Sequence, residues 1–432
     1  MNSIQQTILP FQLKETKDCL TSRSGLVAYF EAAIKFGLTE KIREIFPRPG
    51  SNRGHNAHDI IMSLILTLLA GGQHMNDIRK IAQDTALLKL CGIKKVPSPD
   101  AAARFLKKTG NLRLVNFLIA YLNKKILGRT PSNMLTVDID ATLIASDKRT
   151  AAMTYEGFRG YCPMLTFEAS SGLCLLGEFR NGNASPAADI LDHLKYANKL
   201  IKKSGKLLEK FRSDSAAYNH KIFDYCIKED ILFYVVANHD SAIMAAIKDI
   251  PENDWKPHYD KDGVRTNKEY AATVHALNAS TNAFTLVVQR WLNPQMDLFE
   301  QNKYCYHIIA TNDYDSEGLD IIHCYNGRSN AENYIKEIKN GVALESIPTG
   351  QLYSNKVYFA IGLLAYNLSI GFKDFLPEEF KRSTLATLRF YLISIPGKAV
   401  LHGRQLVLKL KKHFLEFLEY IRRQIFLSKQ IT

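Results

Sequence analysis

The sequence predicts an α/β fold: a mixed five-stranded sheet with helices, preceded by a helical region, interrupted by a β-rich segment and followed by a basic helical tail. Three observations predict it. Apolar residues keep a helical spacing to about residue 130, switch to strict alternation at Met134, and return to helical spacing after Ser316. From Met134 onward the strand-like and helix-like runs follow the order β-β-β-α-β-α-β. At 432 residues with 46% apolar content the chain can bury more than one core, since a domain holds roughly 100–200 residues.

The first region, 1–130, reads as helices over Gly25 to Phe46, Ala57 to Ala70, Asn76 to Cys91 and Asp100 to Lys108, with loop signals at Pro47-Arg-Pro-Gly and Asn52-Arg-Gly-His. Ser98 and Pro99 form the start of the last helix, as N-cap and first turn. Two short helices joined near Gly92 fit a helix-turn-helix that turns Arg104, Lys107 and Lys108 toward DNA, and equally fit a plain helical bundle with a solvated basic face.

The core, 131–249, begins with a strand that sets Leu135, Val137, Ile139, Ala141 and Leu143 on one face and Thr136, Asp138, Asp140 and Thr142 on the other. Met164 to Ala169 and Leu173 to Phe179 form a hairpin about Ser170-Ser171-Gly172. Ser185-Pro186 reads as the start of a helix over Ala187 to Ile201. A strand over Leu207 to Arg212 delivers Asp214, and a helix from about Asn219 to Lys228 leads to a fifth strand, Ile231 to Ala237.

Residues 250–311 hold β-type runs at Ala271 to Leu277, Ala283 to Trp291 and Tyr304 to Ala310. The core resumes over 312–375, with helices at about 316 to 339 and 353 to 374. The tail, 376–432, reads as helices at 382 to 393 and 404 to 427. Its eleven Lys and Arg against four Glu make it a candidate phosphate-binding or protomer-contacting surface, or simply a solvated face.

A formal charge of +13 attracts polyanions, nucleic acid or an anionic membrane surface. The N-terminus has no uninterrupted apolar run, so no secretory signal is expected. The longest apolar run, Ile60 to Ala70, falls short of the roughly 20 residues of a membrane span. Val357 to Phe372, interrupted by Gly362, Asn367 and Gly371, reads as core. Seven cysteines without a C-x-x-C pair point to a reducing compartment and no structural zinc. His220, His239 and His307 lack ligand-like spacing and read as structural.

The densest signal is Tyr325-Asn-Gly-Arg328-Ser-Asn-Ala-Glu332, continuing to Lys336 and Lys339. At about 100° per residue these five side chains fall on or beside one helical stripe. One carboxylate among three cations and a phenol suits a metal ion held by Glu332, with the cations gripping phosphate oxygens. A solvated charged face, with Ser329 and Glu332 as a capping box, is the other reading.

The spacing Tyr-x2-Arg-x3-Glu-x6-Lys resembles the Y-R-E-K signature of one branch of the DDE insertion-sequence transposases of bacteria, and Tyr325, Arg328, Glu332 and Lys339 match it. Val137-Asp-Ile-Asp-Ala-Thr142 resembles that family's first catalytic strand, Arg212-Ser-Asp214-Ser its second, and Arg180-Asn-Gly-Asn183 a stretch between them. The resemblance implies an RNase H-like core with catalytic, metal-holding carboxylates Asp140, Asp214 and Glu332, and two Mg2+ ions that Mn2+ can replace. It implies cleavage at the ends of an insertion sequence and strand transfer into target DNA, by a homodimer on double-stranded terminal inverted repeats.

Tyr325, Arg328, Lys336 and Lys339 become candidate DNA contacts, and neither a membrane nor a small-molecule cofactor is expected. The expected location is the bacterial cytoplasm, at the nucleoid. Asp138, on the same strand face as Asp140, is the alternative first carboxylate. Trp255 and Trp291 in the β-rich segment are candidates to stack on a flipped base, or ordinary core residues. A nuclease of the same fold and a transposase-derived DNA-binding regulator are the rival functions.

Overall fold

The computed structural model describes residues 11, 13–50, 54–278, 282–294 and 303–428; residues 1–10, the Asn52-Arg53 part of a predicted loop, and Lys429 of the basic tail lie outside them. A two-residue strand, β1 (Leu20–Thr21), precedes seven helices: α1 (Leu26–Lys35), α2 (Leu38–Ile45), α3 (Ala57–Leu69), α4 (Ile78–Gln83), α5 (Thr85–Cys91), α6 (Pro99–Lys107) and α7 (Asn111–Leu127). Asn56, Asp84 and Ser98 cap α3, α5 and α6 through side-chain oxygens that accept from backbone N–H groups. The helix expected over Gly25 to Phe46 is two helices. Gly37 breaks it at φ +73°, where a Cβ would stand 2.5 Å from the Tyr121 hydroxyl. The helix expected over Asn76 to Cys91 is likewise broken, because Asp84 leaves helical geometry to cap α5.

The central elements are β2 (Met134–Ala141), β3 (Ile144–Ala145), β4 (Ala152–Met153), β5 (Arg159–Tyr161), β6 (Met164–Glu168), β7 (Cys174–Glu178), α8 (Ile190–Lys203), β8 (Leu207–Ser213), α9 (His220–Lys228), β9 (Leu232–Val236) and α10 (Ser241–Lys248). The sheet order β7-β6-β2-β8-β9 has the first three strands antiparallel and β2, β8 and β9 parallel. That is the RNase H-like order, with β2 central. The small sheet β3-β5-β4 was not expected. Helix α8 starts at Ile190 rather than Ala187, because Arg180 Nη1 takes the Ala188 carbonyl at 2.9 Å and Asp189 turns to φ +69°.

The expected β-rich insertion is an extension of this same sheet. Strands β10 (Lys256–Tyr259), β11 (Arg265–Ala276), β12 (Ala283–Leu292) and β13 (Tyr304–Thr311) form an antiparallel ladder, and β13 pairs with β9 through Ile309 and Val236. The sheet therefore has nine strands, five in the core order and four beyond it.

The chain closes with α11 (Gly318–Asn326), α12 (Ser329–Gly341), α13 (Leu352–Phe372), α14 (Glu378–Lys381), α15 (Leu385–Leu388), β14 (Gly397–His402), β15 (Gln405–Lys409) and α16 (Lys412–Leu427). The helix expected over 404–427 begins only at Lys412. Gly403 and Arg404, both at positive φ, make a two-residue hairpin turn, and Gln405 to Lys409 pair with β14. β1 joins that hairpin as a third strand, so the two ends of the chain share a sheet.

Helix α13 is buried nearly throughout and packs on α1, α3, α6, α7 and β7. Asn367, in its C-terminal third, donates to Asn123 Oδ1 on α7 and to the Cys174 carbonyl on β7, and accepts from Cys174 N–H. This network satisfies polar groups that are costly to bury unpaired. Among the described residues no helix is long and apolar enough to cross a membrane.

Candidate active site

Parallel pairing of β2 with β8 sets Asp138 opposite Arg212 and Ile139 opposite Ser213, so Asp140 and Asp214 emerge together at neighbouring strand ends. Adjacent strands lie about 4.8 Å apart. The Asp140 side chain is 13% exposed. Asp214 accepts the Ala216 N–H at 3.0 Å, which fixes the turn after β8. Burial pushes the Asp140 carboxyl up to about 6; Arg328 opposes the rise, while the charges of Asp214 and Glu332 add to it. The three carboxylates thus act within one electrostatic field.

Arg328 stands at the centre of that field. Its Nη1 donates to Asp140 Oδ2 at 2.8 Å, its Nη2 lies 3.8 Å from Glu332 Oε1, and its Nε donates to the Tyr325 hydroxyl at 3.2 Å. Tyr325 is buried, packed near the His307 ring, and props the guanidinium from behind. Glu332, one turn along α12, is largely exposed. Lys339 Nζ donates to the Leu143 carbonyl at 2.7 Å and lies 3.7 Å from Glu345, bracing the chain just past β2. Lys336 is exposed and lines a cleft of about 370 Å3 with Asp140, Thr142 and Glu332.

The helix predicted over 316 to 339 is interrupted between Tyr325 and Glu332. Arg212 Nη1 takes the Cys324 carbonyl at 2.7 Å, and Gly327 and Arg328 close tighter i→i−3 bonds instead. At Gly327 a Cβ would stand 2.4 Å from Arg212 Nη1, so a side chain there would push the guanidinium away. Tyr325, Arg328 and Glu332 stay in contact across the tight turn, and Glu332, Lys336 and Lys339 line one cleft, but the buried Tyr325 does not reach it.

Asp138 has a different partner. It is fully buried, and both carboxylate oxygens accept from Arg212, at 2.7 Å and 2.8 Å. Burial raises its pKa, against the lowering effect of Arg212. The pair links both strands that carry Asp140 and Asp214 to the end of α11. The reading of the sequence did not find this link. Its signal was present: Asp138 and Arg212 each stand two residues before a candidate carboxylate, and in-register parallel strands bring equal offsets together.

Asp140, Asp214 and Glu332 offer only carboxylate oxygens, the donor type that hard divalent cations take. Asp140 and Asp214 leave neighbouring strand ends, and the charges of Asp214 and Glu332 both act on Asp140 with the one guanidinium of Arg328 opposing them, so these residues fit a divalent ion. Among the described residues, no three Asp, Glu, His or Cys side chains converge as a ready-made metal site, and Arg328 lies between Asp140 and Glu332.

The other predicted contacts lie elsewhere. Arg104 and Lys107 on α6, and Lys108 just past its end, are exposed. Trp255 lies under the Arg290 guanidinium, 3.9 Å from its ring centroid, and Arg290 is held by Glu252 and Glu269. Trp291 carries the Lys268 ammonium at 4.9 Å. Each indole therefore has a cation over one ring face.

A family model described as transposase DDE domain group 1 matches residues 11–424. No curated protein matches the chain. Among solved structures, the cryo-EM structure of a piggyBac transposase synaptic complex with hairpin DNA is similar at 11% identity and a TM-score of 0.45, over 96% of this chain and 89% of that one.

Proposed function

The chain belongs to the DDE transposases, and on that premise we propose that Asp140, Asp214 and Glu332 are the carboxylates with which it cuts and joins DNA. It is a DNA transposase, an enzyme of DNA recombination that binds DNA and depends on divalent metal. One observation carries the assignment of residues: Asp140 shares its field with Asp214 and Glu332, whereas both oxygens of Asp138 are committed to Arg212.

Two Mg2+ ions, or Mn2+ in their place, would supply a lowered pKa at the attacking water or 3′-hydroxyl and positive charge for the leaving oxygen. The residues do the rest. Arg328, released from Asp140 and Glu332, offers a planar fork to a phosphate, with Tyr325 holding its Nε. Lys336 projects from the cleft toward the phosphate backbone, and Lys339 holds the chain at Leu143 in place. Arg104 on α6, and Trp255 and Trp291 on the extended ladder, are outlying DNA contacts in this reading.

The reaction is cut-and-paste transposition by a homodimer on paired terminal inverted repeats, in the bacterial cytoplasm at the nucleoid. The test is to incubate the protein with labelled end DNA and an unlabelled target plasmid and to analyse the products. Covalently joined label is expected; free cut ends alone would make the protein a nuclease, and bound but uncut DNA a regulator.

A further inference from the structure

The far side of α12 borders a second, larger concavity. A groove of about 940 Å3 lies between α12, the turn at Ser170 and Ser171, Arg129 beyond α7, and the segment from Lys373 to Thr384. Lys336 and Asn340 line both this groove and the carboxylate cleft, so the two are continuous. Its acidic groups are already engaged: Glu337 accepts the Leu385 N–H at 2.8 Å, and Asp374 pairs with Arg129 at 3.0 Å. Lys381 pairs with Glu378 outside the lining. Lys336, Lys373 and Arg382 make no ion pair among the described residues. Burial pulls the Lys373 ammonium below its ordinary pKa against the raising effect of the nearby Glu337 charge, and an anion in the groove would add to that support.

The same face of α12 carries Asn330, Asn333 and Asn340, whose carboxamides make no side-chain hydrogen bond among the described residues. Free carboxamides read base edges, and unpaired cations take phosphates. A groove of this volume is on the scale of a small-molecule site, roughly 300–1,000 Å3. A few nucleotides of one strand fit that volume; a duplex, whose major groove alone is about 12 Å wide, does not.

We propose that this groove binds an unpaired stretch of the DNA strand that continues from the scissile phosphate, its phosphates on Lys336, Lys373 and Arg382 and its bases against Asn330, Asn333 and Asn340. The proposal rests on the transposase reading of the adjoining cleft. It gives the enzyme a built reason to hold its substrate end melted on one side of the cut.

The test measures fluorescence anisotropy of a labelled single strand of about six nucleotides, and of a duplex of equal length, in EDTA so that no chemistry occurs. The full-length protein is compared with its Lys373→Met, Arg382→Ala and Asn333→Ala variants. Tighter binding of the single strand is expected. Each lost cation should make the dependence of log affinity on log salt shallower by about 0.7, while Asn333→Ala weakens binding without changing that slope. Circular dichroism identifies a variant that has not folded, and the exposed Asn333 and Arg382 variants carry the test if Lys373→Met fails. Equal affinity for the duplex, or folded variants that bind as the wild type does, would overturn the groove. Cut ends without single-strand binding remove only the groove, whereas single-strand binding without any cutting removes only the proposed function.

Discussion

Arg328 is the residue on which the site turns. It donates to Asp140, lies 3.8 Å from Glu332 and is held at Nε by the Tyr325 hydroxyl, so one guanidinium ties together two of the three carboxylates. Replacing it with Ala removes a charge-assisted donor of the kind whose loss from a catalytic site costs about 100- to 1,000-fold in rate. Single-turnover cleavage of end DNA by Arg328→Ala should fall by that order, and Arg328→Lys should recover little, since an ammonium cannot span Asp140, Glu332 and Tyr325 as the fork does. A fully active Lys variant would contradict this role. The pattern of Tyr325, Arg328, Glu332 and Lys339 was legible in the sequence because helical spacing is local information. That Tyr325 is buried and Lys339 committed to Leu143 was not, because those contacts come from elements far away in the chain.

At the scale of elements, the Asp138–Arg212 pair holds β2, β8 and the end of α11 in one arrangement. Asp138→Ala would leave a mostly buried guanidinium without its carboxylate, a loss of about 3–5 kcal/mol. Urea denaturation should show a correspondingly lower midpoint for Asp138→Ala; a change below about 1 kcal/mol would mean the pair is not holding the strands. The same reliance on distant partners explains which elements the sequence revealed. Strand β2 and the β6–β7 hairpin were legible from alternation alone. The β14–β15 hairpin was not: Gly403 and Arg404 form a turn whose meaning depends on strands either side, and Leu406 and Leu410, four residues apart, fit a helical stripe as readily as Leu406 and Leu408 fit an alternation. The five-strand core order was readable, but the continuation through β13 onto β9 depends on a pairing between Ile309 and Val236 that no local pattern encodes.

The whole molecule is knit through α13. That helix joins N-terminal helices to the central sheet by packing and through the Asn123, Asn367 and Cys174 network, and β1 ties the N-terminal region to the C-terminal hairpin. A chain read from its sequence as successive segments should therefore unfold as one unit. Trp255 and Trp291 report on the extended ladder, while far-UV circular dichroism reports on the helices. The two urea transitions should coincide, and separate midpoints would show that the N-terminal helices and the sheet are independent.

The central claim is that Asp140, Asp214 and Glu332 carry the chemistry. Its most direct measurement is nicking of labelled end DNA in Mg2+ or Mn2+ against EDTA, comparing the wild type with Asp214→Asn and Glu332→Gln, with end binding measured in parallel. Metal-dependent nicks at the ends, lost in both variants while end binding persists, are expected. Nicking that survives in Glu332→Gln would contradict the assignment of that residue, and nicking that survives in EDTA would contradict the metal-dependent account as a whole.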